Sequence, residues 1–216
     1  LGTDFLGRDV LARLLWGGRW TLQMVSLAMV IGIGLGLLIG GTAGSIGGRV
    51  DALLMRVVDS LLAFPGLLMA MALVAIFGTG LSSVAVAVGL AAAFPYARVA
   101  RSVTWEVRSK PYIDAARAVG CSPWRIAVRY ILLNAAPSLI TFATTQLGWV
   151  LLNSAALNFL GLGVPLGTPE WGAMLAEGRA YLREAPWASF FPGLVLTMTV
   201  LSANLLGDGL QEALHR

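Results

Sequence analysis

Five long apolar runs organise the chain. They cover about 20–41, 53–77, 81–97, 131–159 and 187–206, and are labelled spans A to E. A helix rises 1.5 Å per residue and needs about 20 apolar residues to cross roughly 30 Å of hydrocarbon. The pattern therefore predicts an all-α, polytopic membrane bundle of about five spans. Pro65 falls near the middle of span B and Pro95 near the end of span C. A proline removes one backbone hydrogen bond and crowds the preceding turn, so a kink is expected in span B. Residues 1–19 differ. Val10, Leu11, Leu14 and Leu15 share one helical face opposite Arg8 and Arg13. That predicts an amphipathic leader, either lying along the outer interface or approaching span A through solvent. Residues 20–216 then form a single transmembrane domain.

Composition agrees. Hydrophobic residues make up 57% of the 216 and charged residues 12%, against about 45–50% and about 25% in soluble domains. Disorder and a disulfide scaffold are both excluded, the latter because Cys121 is the sole cysteine. The net charge of +4 would hint at nucleic acid in a soluble protein. Here the basic residues sit between apolar runs, so membrane orientation explains them and no nucleic-acid partner is expected. Ten lie in 41–56, 98–130 and the tail, five in the leader and 160–186. The positive-inside rule then puts 98–130 and the C-terminus in the cytoplasm and the N-terminus outside. An outside start at Leu1 suggests that a first span precedes this sequence.

Several constellations carry candidate chemistry. Gly32, Gly36, Gly40, Gly44 and Gly48 recur every fourth residue. Small residues at that spacing let another helix backbone approach closely, within this chain or in a second membrane subunit. Asp59 lies inside span B, three residues after Arg56. An Arg56–Asp59 pair is the favoured reading, pathway lining the alternative. Asn134, Gln146, Asn153, Asn158 and Asn204 are polar residues in or beside spans, suited to interhelical hydrogen bonds or to a polar conduit. The loop 160–186 begins with Gly161, Gly163, Pro165, Gly167 and Pro169, and 173–185 reads as a short helix. Glu170, Glu177 and Glu184 are placed outside. Together with the leader, the loop reads as a docking surface and, just as evenly, as a re-entrant plug or solvated cap.

The connection 98–130 is the most informative stretch. Pro111 opens a short alanine-rich helix and Gly120 closes it. Such a helix is too short to stand alone and needs a partner to dock on. Ser122-Pro123-Trp124 starts a second helix into span D. No G-x-x-x-x-G-K-[ST], H-E-x-x-H or G-x-S-x-G occurs, and the one histidine, His215, reads as solvated in the tail. No catalytic residue, metal site or cofactor on this chain is expected. An intramembrane hydrolase using Asp59 is a weak rival, and a passive channel or scaffold the main alternative.

The segment Tyr112-Ile113-Asp114-Ala115-Ala116-Arg117-Ala118-Val119-Gly120 resembles the coupling loop of ABC-importer permeases, roughly Glu-Ala-Ala, three residues, Gly. Asp114 stands for the glutamate. LGTDFLGRDVLARL at the start, MRVVDSLLAFPGLL (55–68), LNFLGLGV (157–164), PEWGAMLAEGR (169–179) and NLLGDGL (204–210) are similar to the dipeptide/oligopeptide/nickel permease family. The likeness spans nearly the whole chain and is to the second of two different permeases. It departs after the loop, where the usual Ile-Leu-Pro is Ile131-Leu132-Leu133 and the proline is displaced to Pro137. The resemblance implies half of a translocation pathway in a bacterial or archaeal inner membrane. It also implies a second permease, two cytoplasmic ATPases holding ATP and magnesium, and an external solute-binding protein delivering peptide. Tyr112, Asp114–Ala118 and Gly120 would be the ATPase-coupling residues.

Overall fold

The computed structural model describes residues 1–165 and 167–214; the expectations on His215 and Arg216 lie outside them. Among the described residues nine α-helices follow in order: α1 Val10–Ile46, α2 Gly48–Leu62, α3 Gly66–Phe77, α4 Leu81–Arg108, α5 Pro111–Ala118, α6 Pro123–Arg125, α7 Leu133–Phe159, α8 Trp171–Gly178 and α9 Trp187–Leu214. A π-helix, Ile126–Leu132, joins α6 to α7. No strand is present among the described residues. Four stretches are long and apolar enough to cross a membrane: Val10–Ile46, Leu81–Arg108, Pro123–Phe159 and Trp187–Ala213.

The fifth expected span is not one kinked helix. α2 and α3 meet at 92°, broken at Ala63–Pro65. Pro65 has no N–H to continue the ladder and caps α3 instead. The leader is corrected too. Beyond Val10 it is not a separate element but the first turns of α1, whose side-chain cap is Asp9 accepting from the Leu11 N–H. Gly17 and Gly18, which could have broken the helix, are instead buried under Pro169 and Trp171. Span C likewise continues past Pro95 to Arg108, so the long connection begins at Ser109.

α1 and α4 run parallel and form the centre of the bundle. Gly32 faces Gly89 and Ala92, Gly36 faces Ala93 and Tyr96, Gly40 faces Ala97, and Gly44 faces Arg101 and Thr104. A Cβ on Gly36 would sit 2.7 Å from the Tyr96 Cβ and 2.8 Å from the Ala93 carbonyl oxygen. Lipid supplies no hydrophobic force between helices, so this close backbone packing is itself the adhesive. Gly48 leaves the stripe: it opens α2 with φ +61°, after Gly47 at +71°. That pair of left-handed glycines turns the chain sharply out of α1.

The stripe generates a test. Gly36→Ala should lower stability by about 1–3 kcal/mol, the usual cost of overpacking. Gly34, on the same helix but with nothing within 4 Å of a new Cβ, should accept alanine with no loss. Thermal unfolding of the detergent-solubilised protein distinguishes the two.

Candidate functional site

The bundle has two chemically distinct ends. At the α5 end, α4 passes into α5 through Ser109 and Lys110, with Pro111 at the first helical position. Ile113 and Ala116 are buried against Tyr96, Ala100, Val107, Ile126 and Ile131. Burying a side chain of isoleucine size contributes about 1.5–3 kcal/mol, which holds so short a helix in place. Tyr112, Asp114, Ala115, Arg117 and Ala118 face outward. Asp114 and Arg117 form an exposed pair at 2.8 Å, which contributes little to stability. Gly120 has φ +82°, and its N–H donates to the Arg117 carbonyl while the Cys121 N–H donates to that of Ala116, both at 3.0 Å. This is a Schellman closure, and it demands a residue tolerant of positive φ. Val119 and Trp124 are about four-fifths exposed, at 80% and 78%. A cavity of about 510 Å³ opens between Ser45, Ile46, Arg117, Cys121 and Trp124.

The root of α5 is fastened to α1 and α2. Arg101 donates to both Asp51 oxygens, at 2.9 and 2.6 Å. Arg108 donates to the Gly44 carbonyl at 3.2 Å, and Arg101 and Arg108 both lie over the Trp105 ring. Asp59 does not pair with Arg56. Its carboxylate meets Arg98 at 3.3 Å, because the bend at Pro65 lays α2 across α4. Asn134 and Asn153 donate to carbonyls one turn back in their own segment, at Tyr130 and Trp149. Asn158 does bridge: it donates to Ser154 O and Met24 Sδ and accepts the Val164 N–H at 2.9 Å.

At the other end, the 160–186 segment folds back onto the bundle. Its helix is shorter than expected, Trp171–Gly178 with a 3₁₀ turn to Tyr181. Glu170 is not solvated: it is 0% exposed. The Thr21 hydroxyl donates to one of its oxygens and the Ala173 N–H to the other, both at 2.9 Å. The Trp171 indole N–H donates to the Leu14 carbonyl at 3.0 Å. Glu177 is held by Arg13 and Arg8 at 2.9 and 2.8 Å, and Asp4 by the same two arginines, each at 2.6 Å. The leader therefore staples α8 to the start of α1. Sequence reasoning missed this cluster. Its signals were Gly17-Gly18 inside an apolar helix and an acid, Glu170, at the N-cap position of a short helix.

The two kinds of acid titrate in opposite directions. Burial pushes the Glu170 carboxyl above its ordinary 4.5, although the Ala173 and Gly172 N–H groups and the Thr21 hydroxyl pull it down. Burial also works to raise Glu177 and Asp4, but the donors around them outweigh it and both lie below the ordinary carboxylate range. For Glu177 these are Arg13, the Gly167 N–H and Arg8; for Asp4 they are the Arg8 and Leu6 N–H groups and both guanidiniums.

Among the described residues no group of acids, histidines and cysteines could hold a metal ion. Residues 32–216 match the family described as "Binding-protein-dependent transport system inner membrane component". The chain belongs to this family. It is 42% identical over 214 residues to the glutathione transport system permease protein GsiD of Pectobacterium atrosepticum, covering 99% of this chain and 71% of that protein. It is 40% identical to the nickel transport system permease protein NikC of Escherichia coli K12, covering 99% and 77%. A solved chain of the MetNI methionine ABC transporter, in an inward-facing conformation, superposes with a TM-score of 0.82 at 20% identity, over 95% of this chain and 98% of that one. This last likeness shows the shared fold. As a member of the family, the chain is a multi-pass inner-membrane permease of an ATP-driven importer, and the passive-channel alternative falls away.

A pH test follows from the cap. The raised Glu170 contributes stability that is present below 4.5 and lost as pH rises through its folded value. The lowered Glu177 and Asp4 contribute stability that is present above 4.5 and 3.8 and lost as pH falls through their folded values. Hydrogen exchange of α8 amides, corrected for intrinsic rate, should show protection falling as pH rises above 4.5. Glu170→Gln should flatten that slope, and an unchanged slope would contradict the assignment.

Proposed function

We propose that the chain is one of two permeases lining a shared pathway and that α5 is the lever by which ATPase subunits drive it. The observation that carries this reading is the construction of α5. One face is pinned by Ile113 and Ala116, while Tyr112, Asp114, Ala115, Arg117, Ala118 and Val119 remain outward with no partner element among the described residues. Small residues at Ala115 and Ala118 leave a smooth ridge that can enter a groove on a soluble subunit. The α4–α5 junction transmits a push on that ridge to α1 and α2 through Arg101–Asp51 and Arg108–Gly44. A rigid-body displacement of the bundle is the outcome.

In this reading the α5 end and the C-terminus are cytoplasmic, which agrees with the excess of Lys and Arg there. ATP and magnesium belong to the ATPases. The α8 end is external and receives a solute-binding protein on the cap built from the leader and 160–186. The cargo is a small peptide or related solute. Relatives named for glutathione and for nickel bracket that class. The glycines of α1 are engaged by α4, so the second permease meets another face. Pro65 shapes the pathway side through the α2–α3 bend, and Asp59, paired with Arg98 but half exposed, is an acid placed on that side.

The test uses proteoliposomes containing the chain with its partner subunits and binding protein. ATP-dependent uptake of labelled glutathione, dipeptides and nickel is measured. Ala115→Arg, on the outward ridge, should lower uptake by about tenfold or more while membrane insertion is unchanged. Gly120→Pro, which cannot adopt φ +82°, should do the same. Full uptake and full ATPase association in both variants would refute the coupling role.

A further inference from the structure

At 37 residues, α1 is about 55 Å long, far more than about 30 Å of hydrocarbon requires. Something must set its depth. Trp16 and Trp20 stand on its outward face, 60% and 43% exposed. Indoles concentrate at the membrane–water interface, where an apolar ring can carry a polar N–H. A hydrocarbon layer beginning at Trp20 ends about twenty residues later, near Gly40, before the Gly47-Gly48 turn. The level of Trp16 and Trp20 is therefore the headgroup region at the α8 end.

At that level α1 presents one cation without a carboxylate. Of the two arginines in α1, Arg13 meets both Asp4 and Glu177. Arg19 meets none among the described residues. Its guanidinium lies over the Trp16 ring, 4.9 Å from the centroid. Trp16, Arg19, Trp20 and Gln23 follow at helical spacing on one face and line a recess of about 140 Å³, several water volumes. The recess holds a planar five-donor fork, two indoles and an amide, and no acid. A guanidinium matches phosphate oxygens bidentately. The aromatic walls suit the glycerol and upper acyl carbons. With no carboxylate in the lining, the amine of a zwitterionic head would go unmatched.

We propose that Trp16, Arg19, Trp20 and Gln23 form a site for the phosphate of an anionic phospholipid headgroup in the leaflet at the α8 end. The bound lipid fixes the depth of α1 and, through Gly17, Gly18 and Thr21, the seat of the α8 cap. The site does not depend on the coupling role of α5.

The experiment places the permease with its partner subunits in nanodiscs of phosphatidylcholine containing a minor fraction of phosphatidylglycerol. Native mass spectrometry then counts retained lipid. The wild type should keep one more phosphatidylglycerol per chain than Arg19→Gln, whose apparent affinity should fall roughly fivefold or more. Arg19→Lys should bind at an intermediate level, and Arg183→Gln, an exposed arginine at the same end, should match the wild type. Three results would overturn the proposal. One is equal retention by the wild type and a folded Arg19→Gln. A second is displacement of the lipid by millimolar inorganic phosphate, which would make this a free-anion site. The third is efficient cross-linking of Gln23→Cys to the second permease, which would make the face a subunit interface.

Discussion

The close approach of α1 and α4 is the constraint on which the rest depends. From Gly32 to Gly44 each turn of α1 lies against backbone or a small side chain of α4, and Gly89 returns the favour from the other side by admitting Ala28 and Ile31. Neither helix could come this near with larger residues, and in lipid this packing, with the Arg108–Gly44 hydrogen bond beside it, holds the pair. The parallel pair spans the membrane as one body. Its two ends carry different devices. α1 begins under the α8 cap, and α4 ends at the root of α5. The closely packed pair therefore joins the α8 cap and the root of α5 through one continuous body.

The two ends are stabilised by different chemistry. The cap is a buried polar network. Glu170 takes donors from Thr21 and Ala173, and Asp4 and Glu177 share Arg8 and Arg13. Such a network is unforgiving, because removing one partner strands another in a poor solvent. The α5 end is the reverse. Its inner face is apolar and small, and Trp124 and Val119 are left in solvent. Large exposed apolar side chains beside a cavity are what the proposed coupling surface rests on.

These differences explain what could be read from the sequence. The spans were legible because lipid demands long apolar runs. The glycine stripe was legible because its period matches a helix face. So was α5, bounded by Pro111 and Gly120. The lengths of elements were less so. Gly17 and Gly18 look like breakers until Trp171 is known to cover them, and that contact lies more than 150 residues away in sequence. Glu170 and Glu177 look like outer-loop acids until Thr21 of α1 meets the first and Arg8 and Arg13 of the leader the second. The partner of Asp59 was misjudged for a related reason. A short-range pair with Arg56 was available, but the 92° bend at Pro65 brings Arg98 instead. Local pattern predicts elements; non-local packing decides which polar groups meet.

The π-helix Ile126–Leu132 shows how the two halves of the bundle are joined. Between α5 and α7 the chain passes through the short α6 into i→i+5 hydrogen bonding. The displaced proline, Pro137, follows within α7 rather than at its start. Ile126 and Ile131 of this segment pack directly on Ile113 and Ala116 of α5. The α4 side of α5 is the opposite in kind: regular helix to Arg108, then two residues, with guanidiniums clamped on α1 and α2. One flank of α5 is thus continuous with the closely packed α1–α4 pair, and the other leads through the short α6 into the π-helix. α5 is mounted directly on α4, and α4 is packed against α1 along the glycine stripe.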